Sequence, residues 1–228
     1  MPPPSPVTCA LLAHSRLVGE ALSVALETRG VAVVHADLPE SRGEHTALRR
    51  LLADSGAESG LVVADLDDVA QWRDVLTVVE SADLPWLVVT GSQDLVRWGA
   101  LLDLGSPGVV PMTGGLDELE GAVEAVRRGA GAMPVAERDA ARAAWHDLPA
   151  GQRDLVRRIA TLSTREWVVL ESLTMGLTLR DIAAHAGVSE GTVRSQMRTI
   201  RQKLGVSSQL TAVAAFQQTL GLRREAAS

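Results

Sequence analysis

Residues 188–205 sort their side chains by chemistry when wound as a helix. Val193, Met197, Ile200 and Leu204 recur at three- to four-residue spacing and make an apolar stripe. Arg194, Ser195, Arg198 and Arg201 fall on the opposite side, and the pattern suggests no acidic partner for them. Ser189 stands where an N-cap belongs and Gly205 where the helix should stop. A helix that is apolar beneath and cationic above suits the major groove of double-stranded DNA.

What precedes this segment sharpens the reading. Residues Leu179 to Ala186 form a second short amphipathic stretch, with Leu179, Ile182, Ala183 and Ala186 inward, and Gly187 supplies a tight turn. Two short helices joined by such a turn are the helix-turn-helix pattern. An ordinary helical hairpin in a structural bundle is the plain alternative. Charge favours DNA. The chain of 228 residues has a net charge of −6, but residues 151–228 hold 11 basic and 6 acidic residues, a net of +5. Residues 1–150 hold 11 basic and 22 acidic, a net of −11, so a nucleic-acid footprint belongs at the C-terminus.

The helices must be held by something, and 46% hydrophobic content suffices for two modest cores. The first half alternates short apolar runs with amphipathic stretches. Strands are expected at 8–13, 31–35, 61–65, 85–90 and 108–110, and helices at 16–28, 44–55, 69–81, 93–104 and 116–128. Five such repeats imply an α/β fold with a doubly wound five-stranded parallel sheet, followed by a linker and an all-α helix-turn-helix domain. Functional residues of such a sheet gather at the carboxyl ends of strands, here Ala13, His14, Asp65, Thr90 and Met112. Cys9, the single cysteine, reads as a buried strand residue, and Trp72, Trp86 and Trp98 as packing residues.

The run Leu162-Ser163-Thr164-Arg165-Glu166, Val169-Leu170, Gly176-Leu177-Thr178, Asp181-Ile182-Ala183, Gly187 to Ser195, then Lys203-Leu204-Gly205-Val206, closely resembles the C-terminal DNA-binding domain of LuxR/FixJ/NarL-type regulators, over roughly residues 162–216. The resemblance implies that Arg194, Ser195 and Arg198 face base edges, that Arg201 and Lys203 lie nearer phosphates, and that Thr192 and Gln196 complete the DNA-binding set. Gln196 stands where the family usually has His, and Gln209 where it usually has Arg. The final helix has Leu210, Val213, Ala214 and Leu220 as an apolar face with Phe216 at its edge; that face either covers its own domain or, as the resemblance implies, pairs two copies into a homodimer on an inverted-repeat promoter site.

More weakly, residues 7–129 resemble the receiver domain of two-component response regulators, carried by Leu17-Val18, Glu20-Ala21-Leu22, Leu61 to Leu66, Leu87 to Thr90 and Gly105 to Gly108. That family accepts a phosphoryl group on the aspartate that Asp65 matches, and Thr90 matches its switch residue. Its Mg²⁺-binding acidic pair aligns with Ala13 and His14, its lysine with Met112 and its switch aromatic with Val109. Mg²⁺ wants several oxygen ligands, and phosphoryl transfer needs its charge. Ala13 has no ligand to offer, and the chain's single lysine is Lys203. Asp67 and Asp68 read more readily as caps of the following helix.

The expected organisation is therefore a disordered leader (1–6), a receiver-like domain (7–129), a linker with a breaker-flanked helix (130–161) and the DNA-binding domain (162–228). The expected function is transcription regulation by an atypical response regulator working without Mg²⁺-dependent aspartyl phosphorylation. A conventional phosphorylated regulator, and a protein-interaction module that no longer binds DNA, stand as alternatives. No nucleophile–base pair, metal-spaced Cys/His cluster or phosphate-cradling glycine loop points to an enzyme, a metal or a cofactor. No signal or membrane segment is visible, which suits the cytoplasm. Contact with RNA polymerase or a sigma factor, and a small ligand in the altered strand-end pocket, are further expected partners. The arginine- and alanine-rich composition suggests a GC-rich bacterium, where such regulators govern development and secondary metabolism.

Overall fold

In the computed structural model, which describes residues 7–38, 42–81 and 84–220, the chain divides into two compact units at 147/148. The expected leader, 1–6, lies outside the described residues. The first unit alternates β1 (Val7–Ala13), α1 (Arg16–Glu27), β2 (Val31–Asp37), α2 (Arg42–Ser55), β3 (Ser59–Val63), α3 (Val69–Ser81), β4 (Trp86–Thr90), α4 (Leu95–Asp103), β5 (Val109–Pro111) and α5 (Leu116–Arg127), and ends with α6 (Val135–Asp147). All strand pairs are parallel, in the order β2-β1-β3-β4-β5. This is the doubly wound architecture that the alternating pattern predicts.

Period-two alternation divides the strand residues between two buried faces. Cys9, Leu11, Ala13, Leu61, Val63, Leu87, Val89 and Val110 form one core with Leu26 of α1 and Leu119, Ala122, Val123 and Val126 of α5. Ala10, Leu12, Val62, Trp86 and Val88 point the other way and are equally buried. Burial pushes the Cys9 thiol up to about 11, so the residue packs as a small hydrophobe, as expected. Trp72, Trp86 and Trp98 are all buried, which matches their reading as packing residues.

The third strand ends two residues earlier than expected. Beyond Ala64, whose N–H still donates to Val89 O, the Asp65 N–H turns to the side-chain oxygen of Gln71 at 2.8 Å. Asp65 therefore sits in the loop after β3. The reversal of strand order between β1 and β3 places the carboxyl ends of these two strands on either side of the crevice where doubly wound sheets bind ligands.

Residues 130–161, expected as a hinged connector, are instead shared between the units. Helix α6 lies along α4, with Ala141 and Trp145 fully buried there. The approach is so close that a Cβ on Gly99 would overlap the Ala141 carbonyl oxygen and the Trp145 Cβ. The second unit contains α7 (Ala150–Ala160), α8 (Thr164–Thr174), α9 (Leu179–Ala186), α10 (Glu190–Leu204) and α11 (Gln209–Leu220). Helix α7 packs on α10 and α11. Pro149 is its N-cap and Gly151 lies inside it, so the expected break at 149–151 shrinks to the cap: the first-turn N–H groups need no intrahelical partner there.

The face of α11 also differs from expectation. Ala212, Phe216 and Thr219 point inward, and Phe216 meets Trp167 edge-to-face at 4.9 Å. Leu210 is 79% exposed. Period-3.6 spacing alone fits either stripe, and the aromatic pair with Trp167 decides the choice.

Candidate nucleic-acid interface and strand-end site

Each helix around α10 is fixed at its ends by its own sequence. Ser163 and Glu166 close a capping box on α8, and Thr178 and Asp181 close one on α9. Hydrogen bonds from the Thr178 hydroxyl and amide hold the Asp181 carboxyl below the usual range. Gly187, in the left-handed region at φ 64°, ends α9, and the Val188 N–H closes the turn on Ala183 O at 3.0 Å. Ser189 then caps α10 through the Thr192 amide, and the Ser189 and Thr192 hydroxyls share a 2.9 Å hydrogen bond. Gly205 ends α10 at φ 68°, where a Cβ would also strike the Arg158 guanidinium. That guanidinium donates to Leu204 O at 3.3 Å, so it caps the helix C-terminus.

The expected apolar stripe is buried: Val193, Met197, Ile200 and Leu204 are all 4% exposed or less. Each contributes about 2 kcal/mol of burial, gross of entropy. On the other side Thr192, Arg194, Ser195 and Arg198 are exposed and Gln196 is half-buried. One expectation fails here. Arg194 has an acidic partner: Glu190, one turn earlier, accepts its Nε at 3.1 Å and its Nη2 at 2.5 Å. The i,i+4 Glu–Arg spacing was the available signal. Arg198 has no acidic partner among the described residues.

The two remaining cations are tied inward. Arg201 donates to Ser207 O at 2.9 Å, which fastens the turn after α10. Lys203 Nζ reaches Thr161 O at 2.8 Å and Glu166 Oε2 at 2.7 Å, linking α10 to the start of α8. Glu166 is 8% exposed and also accepts from the Ser163 amide. Arg198, Arg201, Gln202, Gly205, Val206 and Ser207 line an open depression of about 480 Å³ at the end of α10.

At the strand ends of the first unit Thr90, Ser92 and Asp67 belong to one hydrogen-bonded network. Thr90 Oγ1 is buried and accepts from the Ser92 amide at 3.1 Å and the Leu66 amide at 3.4 Å. Ser92 Oγ donates to Asp67 Oδ1 at 2.9 Å. Arg97, 3% exposed, lies 3.9 Å from that carboxylate, 3.5 Å from Asp94 and 5.5 Å over the Trp72 ring. Trp98 Nε1 donates to Ser92 O at 3.1 Å. Asp68 caps α3 through the Gln71 amide, while Asp67 turns to Ser92 instead. The parts played by Ser92 and Arg97 have no sequence signature, because a buried arginine is set by its neighbours in space.

The residues aligned with the receiver metal pocket make other contacts or carry no oxygen ligand. Asp65 is exposed, with Oδ1 accepting from the Asp67 amide at 2.9 Å. His14 Nε2 lies 3.0 Å from Asp74 Oδ2. Burial pushes the Asp74 carboxyl up, and Arg73 and His14 oppose that shift. Ala13 is buried and carries no donor atom, and Met112 is 53% exposed. Among the described residues no three His, Cys, Asp or Glu side chains are grouped to hold a metal. The donor set does not fit the Mg²⁺ that receiver chemistry uses.

Similar structures include the two-component response regulator RcsB in complex with DNA (TM-score 0.49, 19% identity, 92% of this chain and 98% of that one). RcsB from Salmonella enterica serovar Typhimurium, bound to a promoter in the presence of the phosphomimetic BeF3⁻, gives a TM-score of 0.49 at 20% identity, over 92% and 98% of the two chains. The response regulator ChrA of a heme-sensing two-component system gives 0.43 at 22%, over 95% and 99%. No curated protein matches the chain. No described helix is long and apolar enough to cross a membrane. The model of bacterial regulatory proteins of the luxR family matches residues 160–216, a span that takes in α8, α9 and α10 with their caps. The C-terminal unit thus carries a helix-turn-helix domain of the luxR family of bacterial regulatory proteins.

Proposed function

We propose that the chain is a DNA-binding transcription regulator whose strand-end site works without Mg²⁺-dependent aspartyl phosphorylation. One observation carries the first part: Arg194, Ser195 and Arg198 stand exposed on α10 while its opposite stripe is buried. An α-helix about 10–12 Å across fits the major groove, about 12 Å wide. In this reading Arg198 and Arg194 read guanine edges, Ser195 a neighbouring base, and Thr192 and Gln196 the flanking backbone. Arg201 approaches phosphate with the donors that Ser207 leaves over. Lys203 acts chiefly as an internal tie. The outward side of α11, with Leu210, joins two copies on an inverted repeat.

The second part rests on the donor set. Among the described residues no three acidic, histidine or cysteine side chains gather at Asp65 to hold a metal, and Thr90 already bridges two backbone amides. Control then comes from concentration, a partner or a ligand.

Salt-dependent binding of the full chain to a random duplex pool, followed by selection, tests the first part. Absence of any salt-dependent binding sinks it. Incubation with acetyl phosphate, or beryllofluoride, and Mg²⁺ tests the second. A stoichiometric mass shift at Asp65, or dimerisation that Asp65→Asn abolishes, restores the conventional response-regulator reading.

A further inference from the structure

We propose that Glu190 is a specificity-setting positioning residue that holds Arg194 for guanine, an inference that rests on the DNA-binding reading above. Glu190 is the sole acidic residue of α10. It sits in the first turn, where the positive end of the helix favours it. Its Oε1 takes the Nε and Nη2 edge of the Arg194 guanidinium. A guanidinium has five N–H donors in one plane. The Nε/Nη2 edge held by Glu190 leaves the Nη1/Nη2 edge for a second bidentate acceptor. Guanine O6 and N7 are such an acceptor in the major groove. The pair can therefore stay intact on DNA, with the carboxylate behind the guanidinium and the base in front of it.

The same pair disfavours wrong sequences. Glu190 and Arg194 together carry no net charge, so they add little to phosphate attraction that is blind to sequence. Arg198, one turn further on and without an acidic partner among the described residues, brings a full positive charge to that attraction as well as donors for a base. A guanine opposite Arg194 gains two hydrogen bonds from a fork already oriented. Any other base leaves the fork unmatched, with a carboxylate nearby that repels phosphate.

Two variants separate position from charge. Glu190→Gln removes the charge and Glu190→Asp keeps it on an arm one methylene shorter, which draws the carboxylate back from the Arg194 guanidinium. Both are measured as full-length chains on a random duplex pool and on the sequence selected from it. Glu190→Gln should bind random DNA more tightly, with a salt slope steeper by about 0.9, and its ratio of selected to random affinity should fall about tenfold. Glu190→Asp should keep the wild-type slope and still lose guanine preference at one position. Guanine selection and affinity ratio within about twofold of wild type in both variants, while Arg198→Ala weakens binding, overturns the positioning role and leaves DNA binding standing. Failure of the wild type to bind any duplex overturns both.

Discussion

At the carboxyl ends of β3 and β4, Thr90, Ser92 and Asp67 satisfy one another, and Arg97 is buried among carboxylates and an indole. On α10, Ser195 and Arg198 face solvent with their side chains uncommitted among the described residues. Both regions stand where their folds place ligands, one at a strand-order reversal and the other on the second helix of a helix-turn-helix. The difference lies in what a ligand would have to break. At the strand ends it must displace buried hydrogen bonds, each costing about 1–3 kcal/mol if left unmade. On α10 it displaces water. What separates the two regions is therefore how available their polar groups are to a ligand.

The largest effect should come from Gly99→Leu, which drives a side chain into the Ala141 carbonyl and Trp145. Overpacking there should cost about 3 kcal/mol, a fall of about 10 °C in Tm by calorimetry, with α6 becoming sensitive to protease. Unchanged stability would show that α6 is not clamped to α4.

Arg198→Ala should weaken binding to a selected operator by about 10- to 100-fold with little change in Tm. Wild-type affinity would remove α10 from the interface.

Lys203→Ala tests whether this cation is internal. Loss of its tie to Glu166 and Thr161 should lower stability by about 1.5 kcal/mol, discounted because the lysine side chain is 29% exposed. The salt slope of DNA binding should stay at the wild-type value. A slope reduced by about 0.9 at unchanged Tm would make it a phosphate contact instead.

The smallest effect should come from Asp65→Asn. Asp65 is exposed and its carboxylate accepts one local amide, a bond an asparagine oxygen can also accept. DNA affinity and sedimentation should match the wild type. A clear loss of either would mean that the strand-end site controls the second unit through Asp65.

Local sequence determined a large part of this molecule. Capping chemistry and periodicity are properties of a few neighbouring residues. Ser189, Gly187 and Gly205 therefore marked α10 and its turn, and alternating apolar runs marked a two-faced parallel sheet. The exposed Arg194, Ser195 and Arg198 followed from the same helical period. Only the tertiary structure decided the choices that depend on distant partners. Phe216 became the inward anchor of α11 because Trp167 of α8 stands opposite it. Lys203 turned inward because Glu166 lies at the start of α8. Helix α6 left the connector and joined the first unit because Gly99 opens a groove on α4. Arg97 was buried because Asp67 and Asp94 converge on it. A single helical period admits several faces, and a charge has no intrinsic direction. Partners far apart in sequence, brought together by packing, select among them.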